Sequence, residues 1–483
     1  MNVIRNVTCP ICGTLCDDLE VTVKDNVIVD AANTCAISDA KFMNYSNPKH
    51  RNLTPLVRKN GELRETSLEE AIKKSAEILV DASYPILYGW SCTSCEAISA
   101  GVELAEEIGG VIDNTSTVCH GPSILSIQNV GIPTSTLGQI RHRADLIIYW
   151  ASDPYSAHPR HMERYTAFSN GRFQKSEWAH YVARLRGILG KKRLSRASEL
   201  VLMKEAELPV VSGGKLPPKF ETDKRKLIVV DVRKTRSAEL ADFFIQVEPN
   251  KDFELIQALR LLVRDEEVET DQVAGVPVSL LEDVADTMIG CDFGVLFFGV
   301  GLTMSSGKLQ NIDAAIALTR DLNYRTKFVI MPMRGHFNVA GANIVSTWQT
   351  GYPFAVDFSQ GYPRYNPGET SAVDILSRDE ADASLIVASD PVSNFPRRAV
   401  ENLVKNPLIA IDPVVSPTTA MADVVLPSAF VGIEEGGTAY RMDRVPLPMK
   451  KLVDPPQNCL SDREILQRIL HHVKRLRAQR GIA

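Results

Sequence analysis

The sequence predicts an α/β protein of several lobes built on parallel sheets, with a small β-rich domain at its N-terminus. Three observations predict it. Short runs of Val, Ile and Leu alternate with helical segments along most of the chain, and each run ends in a small or polar turn. Four of the nine cysteines crowd into the first 35 residues, ahead of this repeating pattern. Alternation of that kind marks parallel strands joined by crossover helices. At 483 residues the chain exceeds a single core, and about 150 residues per domain gives roughly three domains or one multi-lobed body.

The N-terminal element reads as a β-hairpin, because Glu20-Val21-Thr22-Val23 and Val27-Ile28-Val29 flank the turn pair Asp25-Asn26. Parallel strands follow at residues 85–89, 146–150, 226–232, 294–299, 327–331, 384–388 and 407–411. Each leads into a loop rich in small or polar residues, such as Ser152-Asp153-Pro154, Asp231–Thr235, Gly299–Thr303 and Ser389-Asp390-Pro391. Open parallel sheets bind ligands at the carboxyl ends of their strands, so these loops predict a large ligand held between two nucleotide-binding-like lobes. The expected boundaries are an N-terminal domain at 1–52 joined by 430–483, one lobe from 53–113 with 325–429, and a second from 114–324. Between about 160 and 225 the pattern gives way to Lys/Arg-rich sequence, read as a helical surface insertion.

The formal net charge of -5 and the absence of a long basic stripe exclude nucleic acid as a partner, although Lys191, Lys192, Arg193 and Arg196 bunch locally. No signal-peptide stretch opens the chain, and no segment approaches 18 uninterrupted apolar residues, so a soluble cytoplasmic protein with no membrane partner is expected. In that compartment clustered cysteines read first as metal ligands.

Cys9-x2-Cys12-x3-Cys16-x18-Cys35 supplies four thiolates, three from one tight loop. Soft sulfur suits zinc or an iron–sulfur cube, and the x2-x3 spacing favours the cube because zinc ribbons present separated pairs. Cys119-His120 is weak alone, since an inert buried cysteine satisfies it equally. Arg334, in Met333-Arg334-Gly335-His336-Phe337-Asn338 after a strand, suits a carboxylate held by paired hydrogen bonds or an ordinary ion pair. Cys92-x-x-Cys95 reads more readily as two apolar cysteines at a helix start than as a redox pair, and Cys291 and Cys459 as apolar cysteines too.

With these elements in this order, the sequence resembles the molybdopterin oxidoreductase family that includes formate dehydrogenase and nitrate reductase. Within it the chain looks most like the B subunits of tungsten- or molybdenum-containing formylmethanofuran dehydrogenases of methanogenic archaea. The similarity runs nearly end to end and is carried by Cys9-Pro10-Ile11-Cys12-Gly13-Thr14-Leu15-Cys16-Asp17-Asp18, Tyr88-Gly89-Trp90-Ser91-Cys92-Thr93, Val118-Cys119-His120-Gly121-Pro122-Ser123, His158-Pro159-Arg160-His161-Met162, Pro332-Met333-Arg334-Gly335-His336, Tyr365-Asn366-Pro367-Gly368-Glu369-Thr370 and Gly437-Thr438-Ala439-Tyr440-Arg441.

The resemblance implies formate dehydrogenase-like domains I–III and one 4Fe-4S cluster. It also implies two pterin guanine dinucleotides around one molybdenum or tungsten ion, with Cys119 as protein ligand and a sulfido group completing the shell. His120 and Arg334 match the pair flanking the substrate; His120 is expected to relay a proton with a pKa near neutrality, and Arg334 to hold the developing carboxylate. The dinucleotide-holding segments match Ser152, Asp153, Pro154, Asp231, Arg233, Thr235, Gly299, Gly301, Thr303, Gly335, Asn338, Ser389, Asp390, Asp412, Thr418 and Asp423. The implied reaction is two-electron reduction of CO2 to formate, which an amidohydrolase-like subunit condenses with methanofuran, while a polyferredoxin or ferredoxin-like subunit feeds electrons.

Two departures from the family stand out. Formate dehydrogenases carry a Lys two residues after the fourth cluster cysteine, where this chain has Ile37, so Lys41 or Lys59 is expected to substitute. The larger members continue into a C-terminal β-barrel that this sequence lacks, so a separate β-barrel subunit is expected to cover the pterins in an obligate hetero-oligomer. A free-standing formate dehydrogenase core and a metal-free scaffold of the same fold are the alternatives. Retention of Cys9, Cys12, Cys16, Cys35, Cys119, His120 and Arg334 argues against the scaffold, since an unused metal site has no physical reason to keep soft ligands.

Overall fold

The computed structural model of the chain describes residues 1–169 and 225–481, so most of the basic insertion expected at 160–225 lies outside the described residues. The chain divides into two compact units. The first comprises Met1–Ala31, Ile37–Val118 and His336–Ala483, the second Ala32–Ala36 and Cys119–Gly335.

The second unit is built on five parallel strands. In spatial order they are Phe243–Gln246, Lys226–Asp231, Leu146–Trp150, Gly294–Phe298 and Phe328–Pro332. Taken in chain order that is 3-2-1-4-5, a doubly wound sheet whose order reverses between its first and fourth strands. Leu146–Trp150 and Gly294–Phe298 are buried throughout, which is why they read as unbroken apolar runs rather than alternating ones. Helices Asp252–Val263, Val278–Ile289 and Lys308–Leu322 pack on the sheet through Leu255, Leu259, Leu281, Met288, Ile312 and Leu318.

The first unit repeats the arrangement with its chain order permuted. Its central parallel strands are Val111–Asn114, Pro85–Gly89, Ala383–Val387, Leu408–Ile411 and Val424–Leu426. Counted from Ala383–Val387 this is again 3-2-1-4-5, with strands four and five supplied by the earlier segment. Antiparallel strands extend both edges: Val356–Asp357 and Arg364–Tyr365 beyond Val111–Asn114, Leu56–Lys59 and Glu62–Glu65 beyond Val424–Leu426. Helix Leu68–Asp81 begins at Ser67, whose hydroxyl accepts the Glu70 N–H, and helix Asp462–Arg480 begins at Ser461, whose hydroxyl accepts the Glu464 N–H. These helices share one apolar core with Cys95–Ile108 through Ile72, Leu79, Ile98, Leu104, Ile465 and Ile469.

The N-terminal sheet is Asn2–Val7, Leu19–Lys24 and Val27–Ala32. Asp25 and Asn26 both take positive φ, 49° and 61°, as a two-residue hairpin turn of matching twist requires. Its inner face, with Val7, Leu19, Val21 and Ile28, packs with Phe42, Ile433, Leu452 and Val453. The buried Arg51 guanidinium grips both carboxylate oxygens of Glu434, one at 2.6 Å, and lies over Phe430. N- and C-terminal segments are thereby joined in one core.

All seven parallel strands read from the sequence are present, with ends displaced by at most a residue or so. Val111–Asn114 ends the parallel part of the first sheet, and Phe328–Pro332 forms one edge of the second. The expected division at 324/325 falls instead after Gly335, because Phe328–Pro332 pairs with Gly294–Phe298 and belongs to the second sheet. Among the described residues no helix is long and apolar enough to cross a membrane.

Candidate functional site

Cys119, His120 and Arg334 all fall in the second unit, near its first and last residues. Cys119 follows the short helix Thr115–Val118 and precedes helix Gly121–Val130. Its carbonyl accepts the Thr303 hydroxyl at 2.8 Å. Burial pushes the Cys119 thiol up to about 11, while the Arg334 charge pulls the other way. A metal would have to displace that proton, as metals do when they bind thiolates.

His120 is buried, and both its ring nitrogens are engaged, Nε2 with the Met333 carbonyl at 3.2 Å and Nδ1 with the Ser123 hydroxyl at 3.1 Å. A carbonyl only accepts, so Nε2 carries the proton and Nδ1 accepts from Ser123. Burial pushes the imidazole down to about 3, helped by the Arg334 charge. Burial and the Arg334 charge thus favour the neutral ring, and its two hydrogen bonds hold it in one tautomer.

Arg334 is itself buried and follows strand Phe328–Pro332. Its carbonyl accepts from His158 Nε2 at 2.8 Å. Two residues on from His158, Arg160 pairs with Glu163 at 3.0 Å and donates to the Asn33 carbonyl, two residues before Cys35.

Cys9, Cys12 and Cys16 sit on one loop, closed by Cys9 N–H to Cys16 O at 2.8 Å and Leu15 N–H to Cys12 O at 3.0 Å. Leu15 takes a φ of 40° to make that turn. Cys35 is buried and immediately precedes helix Ala36–Asn44. Among the described residues, no three His, Cys, Asp or Glu side chains are drawn together as a single ion would need. The donor set, thiols on a loop that leaves the Thr14 hydroxyl buried without a partner, fits a soft sulfur-bound group.

At the carboxyl ends of the two sheets the same constellation occurs twice. In the second unit Asp153 Oδ1 accepts from the Ser237 N–H at 3.3 Å and the Ser237 hydroxyl, while Oδ2 accepts from Ser156 at 2.7 Å. Ser237 Oγ in turn accepts the Tyr155 N–H at 3.1 Å. In the first unit Asp390 Oδ1 accepts from the Thr418 N–H at 3.0 Å and hydroxyl at 2.6 Å, Oδ2 from Ser393 at 2.6 Å, and Thr418 Oγ1 accepts the Val392 N–H at 3.1 Å. Asp231 ends the strand beside the first of these loops and Asp412 follows the strand beside the other; they accept the Arg233 and Val414 N–H groups, at 3.2 and 2.7 Å. Burial pushes Asp412 up to about 8. Ala151 and Ala388 hold matching positive φ values of 49° and 48° at the turns. At the point where the second sheet reverses, a Cβ on Gly299 would stand 2.2 Å from the Ala151 carbonyl oxygen, so only glycine lets the two loops approach. Each sheet thus lines the carboxyl ends of its strands, beside its switch point, with backbone amides, hydroxyls and carboxylates, where open sheets of this kind form a ligand crevice.

Ser152, Pro154, Gly301 and Ser389 belong to these loops, and Arg233 is exposed beside them. The other expected residues make bonds within the protein. Thr235 accepts the Ala238 N–H at 3.2 Å, and Ser237, which sequence reading missed, makes the bond to Asp153. The spacing could have found it, since Ser237 follows Asp231 by the same interval as Thr418 follows Asp412. Thr303 supports Cys119. Asp423 accepts the Leu408 N–H at 2.9 Å, at the amino end of that strand, so it lies at the opposite edge from the crevice, as does Asp242 on Leu227. Asn338 has its amide occupied by the Thr93 carbonyl at 2.7 Å and the Tyr440 N–H at 2.8 Å. Gly335 is exposed in the turn after Arg334.

Cys92 packs with Leu15, Phe337 and Met449, and burial pushes it up to about 12; Cys95 lies against Asn338 and is pushed up to about 11. Both behave as apolar cysteines, as does Cys291, pushed up to about 12. The Lys41 charge acts on Cys92 and His336, whereas Lys59 pairs with Glu70 at 3.2 Å.

No protein-family model matches the chain. It is 47% identical, over 99% of its length, to the B subunit of tungsten-containing formylmethanofuran dehydrogenase 2 from Methanocaldococcus jannaschii, covering 100% of that protein. Identity to the protein of the same name from Methanococcus maripaludis is 44%, again over 99% of the chain and 100% of the relative. Among solved structures, acetylene hydratase from Pelobacter acetylenicus superposes with a TM-score of 0.66 at 13% identity, over 98% of this chain and 69% of that one. A formyltransferase/hydrolase complex from Methylorubrum extorquens with methylofuran superposes with a TM-score of 0.62 at 19% identity, over 89% and 100%. The two structures share the fold. The chain belongs to the family of formylmethanofuran dehydrogenase B subunits, which are oxidoreductases.

Proposed function

We propose that the chain is the CO2-reducing subunit of a formylmethanofuran dehydrogenase. It holds a 4Fe-4S cluster on Cys9, Cys12, Cys16 and Cys35, a tungsten or molybdenum ion on Cys119, and one pterin guanine dinucleotide in each crevice. The observation that carries this reading is the duplicated Asp153–Ser237 and Asp390–Thr418 constellation: two equivalent loop pairs beside the switch points suit two equivalent ligands. When bound, the metal–pterin centre supplies the redox chemistry that interconverts CO2, a proton and two electrons with formate.

Arg334 presents a planar fork that matches a carboxylate. His120, with both nitrogens engaged, forms a fixed neutral wall beside it. Lys41, whose charge reaches Cys92 and His336, is better disposed than Lys59 to serve the place that Ile37 leaves vacant. Both relatives are named as one lettered subunit of a larger enzyme, which supports a multi-subunit complex. In it an amidohydrolase-like subunit would condense formate with methanofuran, a β-barrel subunit would cover the pterins, and a polyferredoxin or ferredoxin-like subunit would deliver electrons.

Cys119→Ala in the purified complex tests the assignment. Loss of tungsten or molybdenum and of CO2 reduction, with cluster iron retained, is expected; undiminished CO2 reduction would rule it out.

A further inference from the structure

Resting on the reading of Arg334 as the carboxylate clamp, we propose that His158 is its positioning residue, setting through the Nε2–H bond to the Arg334 carbonyl the backbone that presents the guanidinium. Three observations converge on it.

First, His158 is 3% exposed, and its Nε2 lies 2.8 Å from the Arg334 carbonyl oxygen. The carbonyl can only accept, so the proton sits on Nε2 and Nδ1 is a bare acceptor. That Nδ1 has no hydrogen-bond partner among the described residues. A buried acceptor without a donor is a standing cost, so a ring kept there is kept for its other nitrogen, and Nδ1 is left to receive one small donor such as a water.

Second, the two sheets provide an internal control. His158 follows Ala151-Ser152-Asp153-Pro154 at the interval by which Phe395 follows Ala388-Ser389-Asp390-Pro391, and each precedes a proline. Both end the short helix with the same backbone bond, His158 N–H to Pro154 O at 2.9 Å and Phe395 N–H to Pro391 O at 2.8 Å. Phe395 fills its position by packing edge-on against Tyr88, ring centres 4.8 Å apart. The scaffold therefore accepts a plain apolar ring at this point, and the imidazole answers a local need of the second unit.

Third, the need is visible in what the ring holds. Met333 and Arg334 are consecutive, and each carbonyl is fixed by an imidazole N–H, that of His120 at 3.2 Å and that of His158 at 2.8 Å. A turn pinned at two successive carbonyls holds the intervening side chain in one direction, which a bidentate anion clamp requires.

The test compares His158→Phe, His158→Gln and Arg334→Lys in the purified complex. Formate oxidation gives KM and kcat, calorimetry gives the formate Kd, and metal analysis gives Fe and W or Mo content. His158→Phe should raise KM and Kd for formate about tenfold, the equivalent of one ordinary hydrogen bond, with kcat and metal content within about twofold of the parent. His158→Gln, whose amide nitrogen can stand where Nε2 stood, should recover most of that affinity. Unchanged formate binding in His158→Phe overturns the proposal, as does equal weakness of Phe and Gln, or metal loss in both. If Arg334→Lys also binds formate normally, the clamp itself is misread; if only the His158 variants do, the fault is confined to His158.

Discussion

At the scale of single residues, the proposed chemistry would rest on a thiol, an imidazole and a guanidinium whose charge acts on both. Lys at position 334 would keep the charge and lose the fork, so Arg334→Lys should raise the formate KM at least about tenfold with metal content unchanged. Steady-state kinetics beside metal analysis checks this. Cys119, His120 and Arg334 were singled out as candidates because each sits in a motif of reactive or metal-binding residue types. His158 and Ser237 were not, because their roles lie in which carbonyl or carboxylate they reach across the fold. Only the sheet reveals that Asp423 meets the amino end of Leu408–Ile411.

Among the elements, the parallel strands were legible because burial on both faces writes an unbroken apolar run. The permuted order of the first sheet was not, since nothing local to Pro85–Gly89 says that its neighbour will be Ala383–Val387. Helix Asp462–Arg480 carries an electrostatic consequence of its own. Glu435 accepts a hydrogen bond from the Asp462 N–H, yet burial, with Asp462 and Glu96 nearby, pushes its carboxyl up to about 8 from 4.5. The folded state therefore holds a proton that the unfolded chain releases above about pH 4.5, and folding stability falls as pH rises from there until the folded carboxyl too has ionised, near 8. Thermal unfolding should show Tm dropping by a few degrees, of order 2–4 °C, between pH 5 and 9, and Glu435→Gln should reduce that slope, the raised Asp412 supplying the rest. A slope unaltered by the substitution would locate the proton elsewhere.

The repeated bonds at the crevices make a second prediction. Ser237→Ala and Thr418→Val each leave an aspartate short of a donor in a half-buried turn, and each should cost about 1–2 kcal/mol by denaturant unfolding. Similar losses at the two sites would express the repeat energetically.

For the molecule as a whole, two sheets of one topology are proposed to hold two ligands of one kind. Guanine nucleotide released on denaturing the purified complex should approach two per chain. In Gly299→Val, whose side chain would run into the Ala151 carbonyl, it should fall clearly below that. Binding of the heavy metal by Cys119 is the central claim. An anomalous-difference map of the complex, collected at the tungsten or molybdenum edge, tests it most directly. A single strong peak at bonding distance from Cys119 Sγ is the predicted result, and a thiol with no peak beside it would contradict it.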